Sequence, residues 1–400
     1  MESIKEIYRI GKGPSSSHTM GPQKASQIFY DHNAEAQRID VTLYGSLAAT
    51  GRGHMTDVII EETLSRVPKV NIIWKPSIYL PFHPNGMSFS SYDNEGHQTD
   101  TWTVYSVGGG ALSEGEERRW LPERKEIYEA KSLTEIMNWC DKTGRSYWEY
   151  VKENEDSDIW DYLMEVWKTM QEAVKRGIDH EGVLPGPLNL PRKAPTYYVK
   201  ARGYKQSLQS RGLVYAYALA VSEENASGGT IVTAPTCGSC GVMPAVLYHL
   251  AKGHDFSDMR ILHALATAGI FGNVVKTNAS ISGADVGCQG EVGVACAMAA
   301  AAVSQLFGGW PAQIEYAAEM GLEHHLGMTC DPVCGLVQIP CIERNAFAAT
   351  RALDANLYAA FSDGKHRVSF DRVVRVMKQT GHDLPSLYKE TSEGGLAKEF

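Results

Sequence analysis

The chain has 400 residues, 43% of them hydrophobic, and a formal net charge of −9. This length allows two or three globular domains, and the acidic charge argues against nucleic acid or an anionic membrane as the main partner. The N-terminus has no signal-like apolar core, and the most apolar stretch, residues 293–307, is too short to span a bilayer. Eight cysteines clustered toward one end do not resemble a secreted disulfide framework, so we predict a cytoplasmic protein.

The first part of the chain alternates strand and helix signals. Residues 39–44 and 70–74 are rich in β-branched side chains, and residues 102–107 alternate polar and apolar, so all three predict strands. Residues 56–66, between the first two strands, predict a helix. Three glycines then end this part, and we assign residues 1–115 to a small α+β domain.

The rest of the chain predicts helices. A charged connecting region, residues 116–182, has helical periodicity over 125–141 and 146–176, and the turn-rich stretch 183–195 indicates a linker or crossing loop. Five later stretches rich in Ala, Leu and Val predict helices buried among other helices: 207–221, 245–252, 259–271, 291–306 and 335–352. We therefore predict an α+β fold class, a small N-terminal α+β domain followed by a larger, mostly α-helical catalytic domain over 183–400. Its apolar faces predict a homodimer.

Two glycine-framed loops near the N-terminus each contain a histidine. GPSSSHTMGP (13–22) places three serines before His18, and LYGSLAATGRGHMTD (43–57) places His54 where a helix begins. Hydroxyls and backbone N–H groups in such a loop can bind a carboxylate, although a helix cap beside a surface histidine has the same pattern. Because imidazole titrates near neutral pH, two such histidines favour general acid–base chemistry.

Three cysteines in the C-terminal half stand among small, turn-forming or polar residues. They are Cys288 in GADVGCQGEVG, Cys330 in MTCDP and Cys341 in QIPCIERN. Three soft thiolates suit a [4Fe–4S] cluster that leaves one iron open, and an open iron acts as a Lewis acid. Three buried structural thiols fit the spacing equally well.

Long blocks of the sequence resemble the bacterial iron–sulfur L-serine dehydratases (L-serine ammonia-lyases) of the single-chain type with fused β and α domains. The first part carries GPSSSHTMGP and YGSLAATGRGH, and the second carries TAPTCGSCGVMPAVL, SISGADVGCQGEVGVACAMAAAA and LGMTCDPVCGLVQIPCIERN. The resemblance implies that Cys288, Cys330 and Cys341 hold the cluster and that His18 and His54 lie at the active site. It also implies a β-type domain that is trimmed after about residue 85 relative to the usual form.

The chain departs from the family pattern at three cysteines. Cys237 and Cys240 lie in TCGSCG, where the family pattern is TNGAAG, and Cys334 lies in DPVCG, where it is DPVAG. Elsewhere a C-x-x-C pair would suggest a redox pair or half a zinc site. The printed sequence has no cysteine after Cys341, so we expect no tail cysteine on the open iron. The remaining partner of the open iron is then one of these three cysteines, water or substrate.

The resemblance implies the dehydration of L-serine to pyruvate and ammonia. The open iron would bind the β-hydroxyl while a neutral histidine removes the α-proton, with His54 the first choice and His18 the second. The candidates for binding substrate or supporting the cluster are polar residues of the loops: Ser15, Ser16, Ser17, Thr19, Lys276, Asn278, Ser280, Ser282, Arg344 and Asn345. For Arg344, a salt bridge to Glu343 or another acid is an equal alternative.

Three other functions stay open at this point. A pyridoxal-phosphate lyase would catalyse the same reaction with Lys276 as the Schiff-base lysine, leaving the cysteines unexplained. A related β-elimination, such as cysteine desulfidation, would keep the metal and change the leaving group. An iron–sulfur sensor or amino-acid-binding regulator would need neither histidine as a base.

Overall fold

The structure is a computed structural model that describes residues 1–116 and 118–400. It contains a mixed sheet, a short two-stranded ribbon and a larger helical bundle, which confirms the predicted α+β class. The strands are β1 (Ile10–Lys12), β2 (Arg38–Tyr44), β3 (Lys69–Lys75), β4 (Gly86–Tyr92), β5 (Gln98–Ser106), β6 (Leu112–Ser113) and β7 (Thr230–Val232). The α-helices are α1 (Gly21–His32), α2 (Gly45–Ala49), α3 (Thr56–Thr63), α4 (Leu133–Thr143), α5 (Tyr147–Asn154), α6 (Ile159–Asp179), α7 (Ala194–Arg202), α8 (Gln206–Ala226), α9 (Val242–His254), α10 (Asp258–Asn278), α11 (Gly283–Val286), α12 (Val294–Leu306), α13 (Pro311–Glu323), α14 (Cys341–Ala360) and α15 (Phe370–Asp383).

The five-stranded sheet has the order β3-β2-β4-β5-β6, with β2 and β3 parallel and the other neighbours antiparallel. Residues of β2 alternate between buried and half-buried, because Ile39, Val41 and Leu43 face the apolar core under the sheet. The strands predicted at 39–44 and 70–74 are confirmed. Strand β4 was not predicted. Its sequence is rich in Gly and Ser, so the apolar alternation rests on only two large buried side chains, Met87 and Phe89.

Helix α12 lies at the centre of the helical bundle and packs against α9, α10, α13 and α14. Its alanine-rich sequence lets neighbouring backbones come close, as where Gly321 of α13 meets the Ala297 backbone. Two predicted helices begin later than expected. Helix α14 begins at Cys341 because Pro340 precedes it, and α4 begins at Leu133 because Ser132 and Glu135 form a capping box.

The N-terminal segment joins the two parts of the molecule. Residues such as Ile4 and Tyr8 pack into the helical core, and β1 pairs with β7 from the helical part. Residues 13–20 are thereby held beside the C-terminal half of the chain. The loop before His54 also touches that half, since the backbone of Gly53 approaches Gly335 too closely to leave room for a side chain.

The core of the helical part includes Met1, Ile4, Ile7 and Tyr8, whereas the core under the sheet is built from residues 25–112. The boundaries predicted at 115 and 182 stay predictions. Among the described residues, no helix combines the length and apolarity needed to cross a bilayer.

Candidate active site

The turn that follows Pro14 holds His18 in a fixed orientation. Ser15 caps this turn by accepting a hydrogen bond from the His18 backbone N–H (3.1 Å). The His18 Nε2 atom lies 3.1 Å from the Ser46 carbonyl oxygen, which can only accept, so Nε2 carries the hydrogen. The lone pair is therefore on Nδ1, which lies 2.8 Å from Ser17 Oγ. Burial lowers the pKa of His18 to about 4 despite the bond to Ser46.

His54 lies against His18, with ring centroids 4.4 Å apart in an edge-to-face arrangement. The Thr19 hydroxyl donates to the His54 carbonyl (2.8 Å), which ties the two histidine loops together. The His54 side chain is buried, and its Nδ1 has no hydrogen-bond partner in the part of the chain that the structure describes. Burial and the neighbouring His18 lower the pKa of His54 well below its usual range. Both imidazoles are thus neutral near pH 7 and can accept a proton.

The three predicted cysteine ligands lie close together beside α11. Sulfurs of Cys288 and Cys330 and a carboxylate oxygen of Glu291 lie within 4.8 Å of one another. Cys341 opens α14 beside them, where burial and then Cys288 raise the pKa of its thiol. All three side chains are buried and none forms a disulfide. Three buried soft donors that lie close together fit the ligand set of an iron–sulfur cluster.

Glu291 lies beside the cysteine trio of Cys288, Cys330 and Cys341, and the sequence did not predict it. Its Oε1 accepts from the Thr236 hydroxyl (2.8 Å), and its Oε2 lies 3.8 Å from Cys288 Sγ and 4.0 Å from Cys330 Sγ. Burial raises the pKa of this carboxyl. The motif CQGE contains the signal that would have found it, since the position three residues after Cys288 is close in any helical turn.

Glu390 joins the histidines to the cysteines. Its backbone N–H donates to the Cys330 carbonyl (2.8 Å), and its own carbonyl accepts from the Ser46 hydroxyl (2.8 Å). Its Oε1 lies 3.5 Å from His18 Nδ1, and the carboxylate forms one group with both imidazoles. Burial, then Glu291, raises the pKa of Glu390 well above its usual range.

Serine and threonine of the first loop mainly support the histidines. Ser15 and Ser17 bond to His18, and Thr19 bonds to His54, as described above. Ser16 is buried on the same turn. The structure therefore brings this predicted group together, and Ser15, Ser17 and Thr19 contact the two histidines.

Three candidates from KTNASIS make other contacts. Lys276 Nζ pairs with Glu2 (2.6 Å), the Asn278 amide donates to the Lys131 and Val274 carbonyls, and Ser280 Oγ accepts from a nearby backbone N–H. None of these bonds reaches a histidine or a cysteine of the site.

The two candidates on α14 brace the cysteine loops. Arg344 donates to the Thr329 carbonyl (2.7 Å) and lies 3.5 Å from Asp331, so its acidic partner is Asp331 and not Glu343. Burial acts to lower the pKa of Arg344, but the thiols of Cys288, Cys341 and Cys330 raise it above its usual value. Asn345 bonds to Gly238, Gly241 and Cys341, joining α14 to the turn of the CGSC motif.

The three additional cysteines have different surroundings. Cys237 and Cys240 are buried, and the Cys237 sulfur lies 3.4 Å from Met20 Sδ. Cys334 is exposed and has a left-handed backbone, φ 55°. The structure gives none of them a hydrogen bond to the trio.

A methyl group at Gly283 would reach into this pocket, 2.5 Å from Glu291 Oε2 and 3.1 Å from Cys330 Sγ. We expect Gly283→Ala to displace Glu291 and to lower iron content and turnover by roughly 10-fold, the scale of a lost outer-shell partner. Gly253→Ala on α9 is the matched control, because nothing lies within 4 Å of its added carbon. Iron content and activity are measured on both purified variants. If Gly283→Ala matches Gly253→Ala in both quantities, the placement of Glu291 is contradicted.

Two family models match the chain, and their boundary falls within the part that forms the sheet. The family model for the serine dehydratase beta chain matches residues 3–66, and the model for the alpha chain matches residues 56–397. The chain is 41% identical to an L-serine dehydratase of Streptomyces coelicolor over 447 positions, covering 99% of this chain and 98% of that protein. It is 41% identical to L-serine dehydratase 1 of Escherichia coli, with 99% of both chains covered. It is also 37% identical to an L-serine dehydratase of Helicobacter pylori, with 99% and 98% covered.

These alignments are longer than the 400 residues of this chain, so the relatives carry additional residues inside the matched span. The matches nevertheless extend over both the histidine loops and the cysteine loops. Thus the chain belongs to the L-serine dehydratase family, in its single-chain form with joined beta and alpha parts.

Proposed function

We propose that the protein converts L-serine to pyruvate and ammonia with a [4Fe–4S] cluster bound by Cys288, Cys330 and Cys341. The observation that carries this proposal is the buried junction at Glu390, which bonds to Cys330 and faces His18. Two buried neutral imidazoles and three buried soft metal donors are thereby brought to either side of one residue, Glu390. The names of the relatives, all L-serine dehydratases, support the same reaction.

When bound, the cluster would supply a Lewis-acidic iron for the β-hydroxyl of serine, a poor leaving group. The protein's own contribution is the base. His54 Nδ1 is unpaired and can take the α-proton, whereas both nitrogens of His18 have partners that orient it. Loss of the proton and the hydroxyl leaves an enamine, which tautomerises to an imine and hydrolyses to pyruvate and ammonia.

The site is closed to bulk water by its own loops. His18, His54 and Glu390 are all buried, as are the serines of the first turn. Exclusion of water strengthens the electrostatic contacts among these groups and keeps the base unsolvated. The competing pyridoxal-phosphate function gains no support, because Lys276 is held in an ion pair with Glu2.

The proposal is tested by assaying anaerobically prepared, iron-replete enzyme on L-serine, L-threonine and L-cysteine. We expect pyruvate and ammonia in equal amounts, fastest from L-serine. Faster release of sulfide from L-cysteine would instead make the protein a desulfidase. The predicted homodimer and cytoplasmic location also stay proposals. The exposed Phe347 and Tyr358 on α14, with Phe361 directly after it, support a contact between copies.

The lowered pKa values predict an unusual pH profile. At pH 6 a histidine of ordinary pKa is only about one-quarter neutral, whereas His18, with a pKa of about 4, remains neutral. Burial and the neighbouring His18 hold the pKa of the base, His54, well below its usual range, so His54 also stays neutral at pH 6. We therefore expect kcat/KM to stay nearly constant from pH 7 to pH 6. Cluster absorbance recorded at each pH controls for loss of the metal. An acid limb with a midpoint near 6.5 would contradict neutral buried bases.

A further inference from the structure

The CGSC motif forms a tight turn that the proposed reaction does not use. Cys237–Ser239 is one 3₁₀ turn, and the Cys240 backbone N–H donates to the Cys237 carbonyl (3.2 Å). Side chains three residues apart in such a turn point to the same side, so the two thiols share one face. Both side chains are buried, and both thiols are free. The Asn345 amide braces this turn by donating to the Gly238 carbonyl (2.7 Å).

A third sulfur contacts this turn from the N-terminal part of the chain. The Sδ atom of Met20 lies 3.4 Å from the Sγ atom of Cys237. Met20 is the last residue of the turn that holds His18, and its backbone N–H donates to the Ser15 carbonyl (3.1 Å). Two braced turns therefore hold the thioether against the thiol.

The thioether of Met20 also borders a route from solvent. Met20 lines a cavity of about 990 Å³ that α1 and α6 border as well. Its methyl group occupies the space that a side chain at Gly11 would need, so the glycine leaves room for the thioether at the cavity. Met20 thus contacts both the cavity and Cys237. A metal site needs such an entry path.

The helix that follows the turn favours negative charge on the thiols. Helix α9 begins at Val242, two residues after Cys240, with Gly241 at its N-cap. The N-terminus of a helix carries partial positive charge, which stabilises a thiolate. A metal ion adds its own positive charge and displaces the thiol protons on binding. An oxidant, by contrast, would have to react with buried thiols, which are inert.

We propose that Cys237, Cys240 and Met20 bind one soft monovalent metal ion, Cu(I). Two thiolates and a thioether are the donors that select Cu(I), whereas Zn²⁺ takes nitrogen, oxygen or thiolate ligands. Each thiol gives up its proton as its sulfur–copper bond forms, so binding releases two protons and leaves the oxidation state unchanged. None of the three sulfurs belongs to the cysteine trio. The family pattern TNGAAG has no sulfur at positions 237 and 240, so serine turnover does not require this site.

The test titrates anaerobic, iron-replete enzyme with Cu(I) held by the coloured chelator bicinchoninate. Wild type should take one equivalent of copper from the chelator while its iron content stays constant. Cys237→Ser and Cys240→Ala should each lose this uptake and keep their iron. Met20→Leu should bind copper at least about 10-fold more weakly, the smaller cost of losing a supporting contact at a metal. X-ray absorption at the copper edge should show three sulfur neighbours in wild type and two in Met20→Leu.

Cys296→Ser and Met298→Leu on α12 are the matched controls, because they remove a buried thiol and a buried thioether elsewhere in the helical core. Both should take up copper as wild type does. Wild type that takes no copper, or takes it only as iron is lost, would overturn the inference. Unchanged uptake in Cys237→Ser would do the same, as would a Cys237–Cys240 disulfide in the anaerobic protein, seen as a mass lower by two hydrogens. If Cys237→Ser does not fold, Cys240→Ala and Met20→Leu carry the same test.

Discussion

Replacing Cys288, Cys330 or Cys341 by serine should remove colour, iron and turnover together. A serine hydroxyl is a hard, weakly acidic donor and cannot substitute for a thiolate on a soft metal centre. We expect activity to fall by more than the roughly 10- to 100-fold that loss of an outer-shell partner causes. Visible absorbance, iron and sulfide content and pyruvate formation are measured on each variant.

Cys140→Ser and Cys296→Ser are the controls for this series. Both cysteines are buried on helices of the bundle, α4 and α12, and contact its apolar core. These variants should keep the colour and the activity of the wild type even if their stability falls. A variant of the trio that keeps both iron and turnover would remove that cysteine from the ligand set.

His54→Ala should keep the colour and lose turnover. The unpaired Nδ1 of His54 is the base in our mechanism, and removing a general base slows a reaction by roughly 10²- to 10⁴-fold. Because His54 makes no side-chain hydrogen bond to the cysteine loops, cluster content should be unchanged. The measurement is kcat alongside iron content. Exposed His324, at the end of α13, provides the control variant His324→Ala. Full turnover in His54→Ala would transfer the role of base to another group.

The parts of this site that the sequence predicts are those with a local signature. His18 and His54 stand in loops whose glycines and hydroxyls are themselves part of the pattern, and their rings do meet. The strand β2 was predicted for the same reason, since a run of β-branched residues is visible without any partner. Local composition is therefore enough to predict this strand and the two histidines.

The other parts depend on contacts between distant segments. Glu390 reaches the site only because the C-terminal segment pairs with the Cys330 loop, and nothing near it in sequence indicates a role. Lys276 was predicted to meet substrate from its polar neighbours, but its partner is Glu2, at the other end of the chain.

The central claim is that a cluster held by three cysteines is required for L-serine turnover. The most direct measurement removes iron from the anaerobic enzyme with a chelator, restores it stepwise with iron and sulfide, and follows pyruvate formation at each step. We predict that activity rises in proportion to cluster content. A colourless, metal-free preparation that converts L-serine at the full rate would contradict the claim.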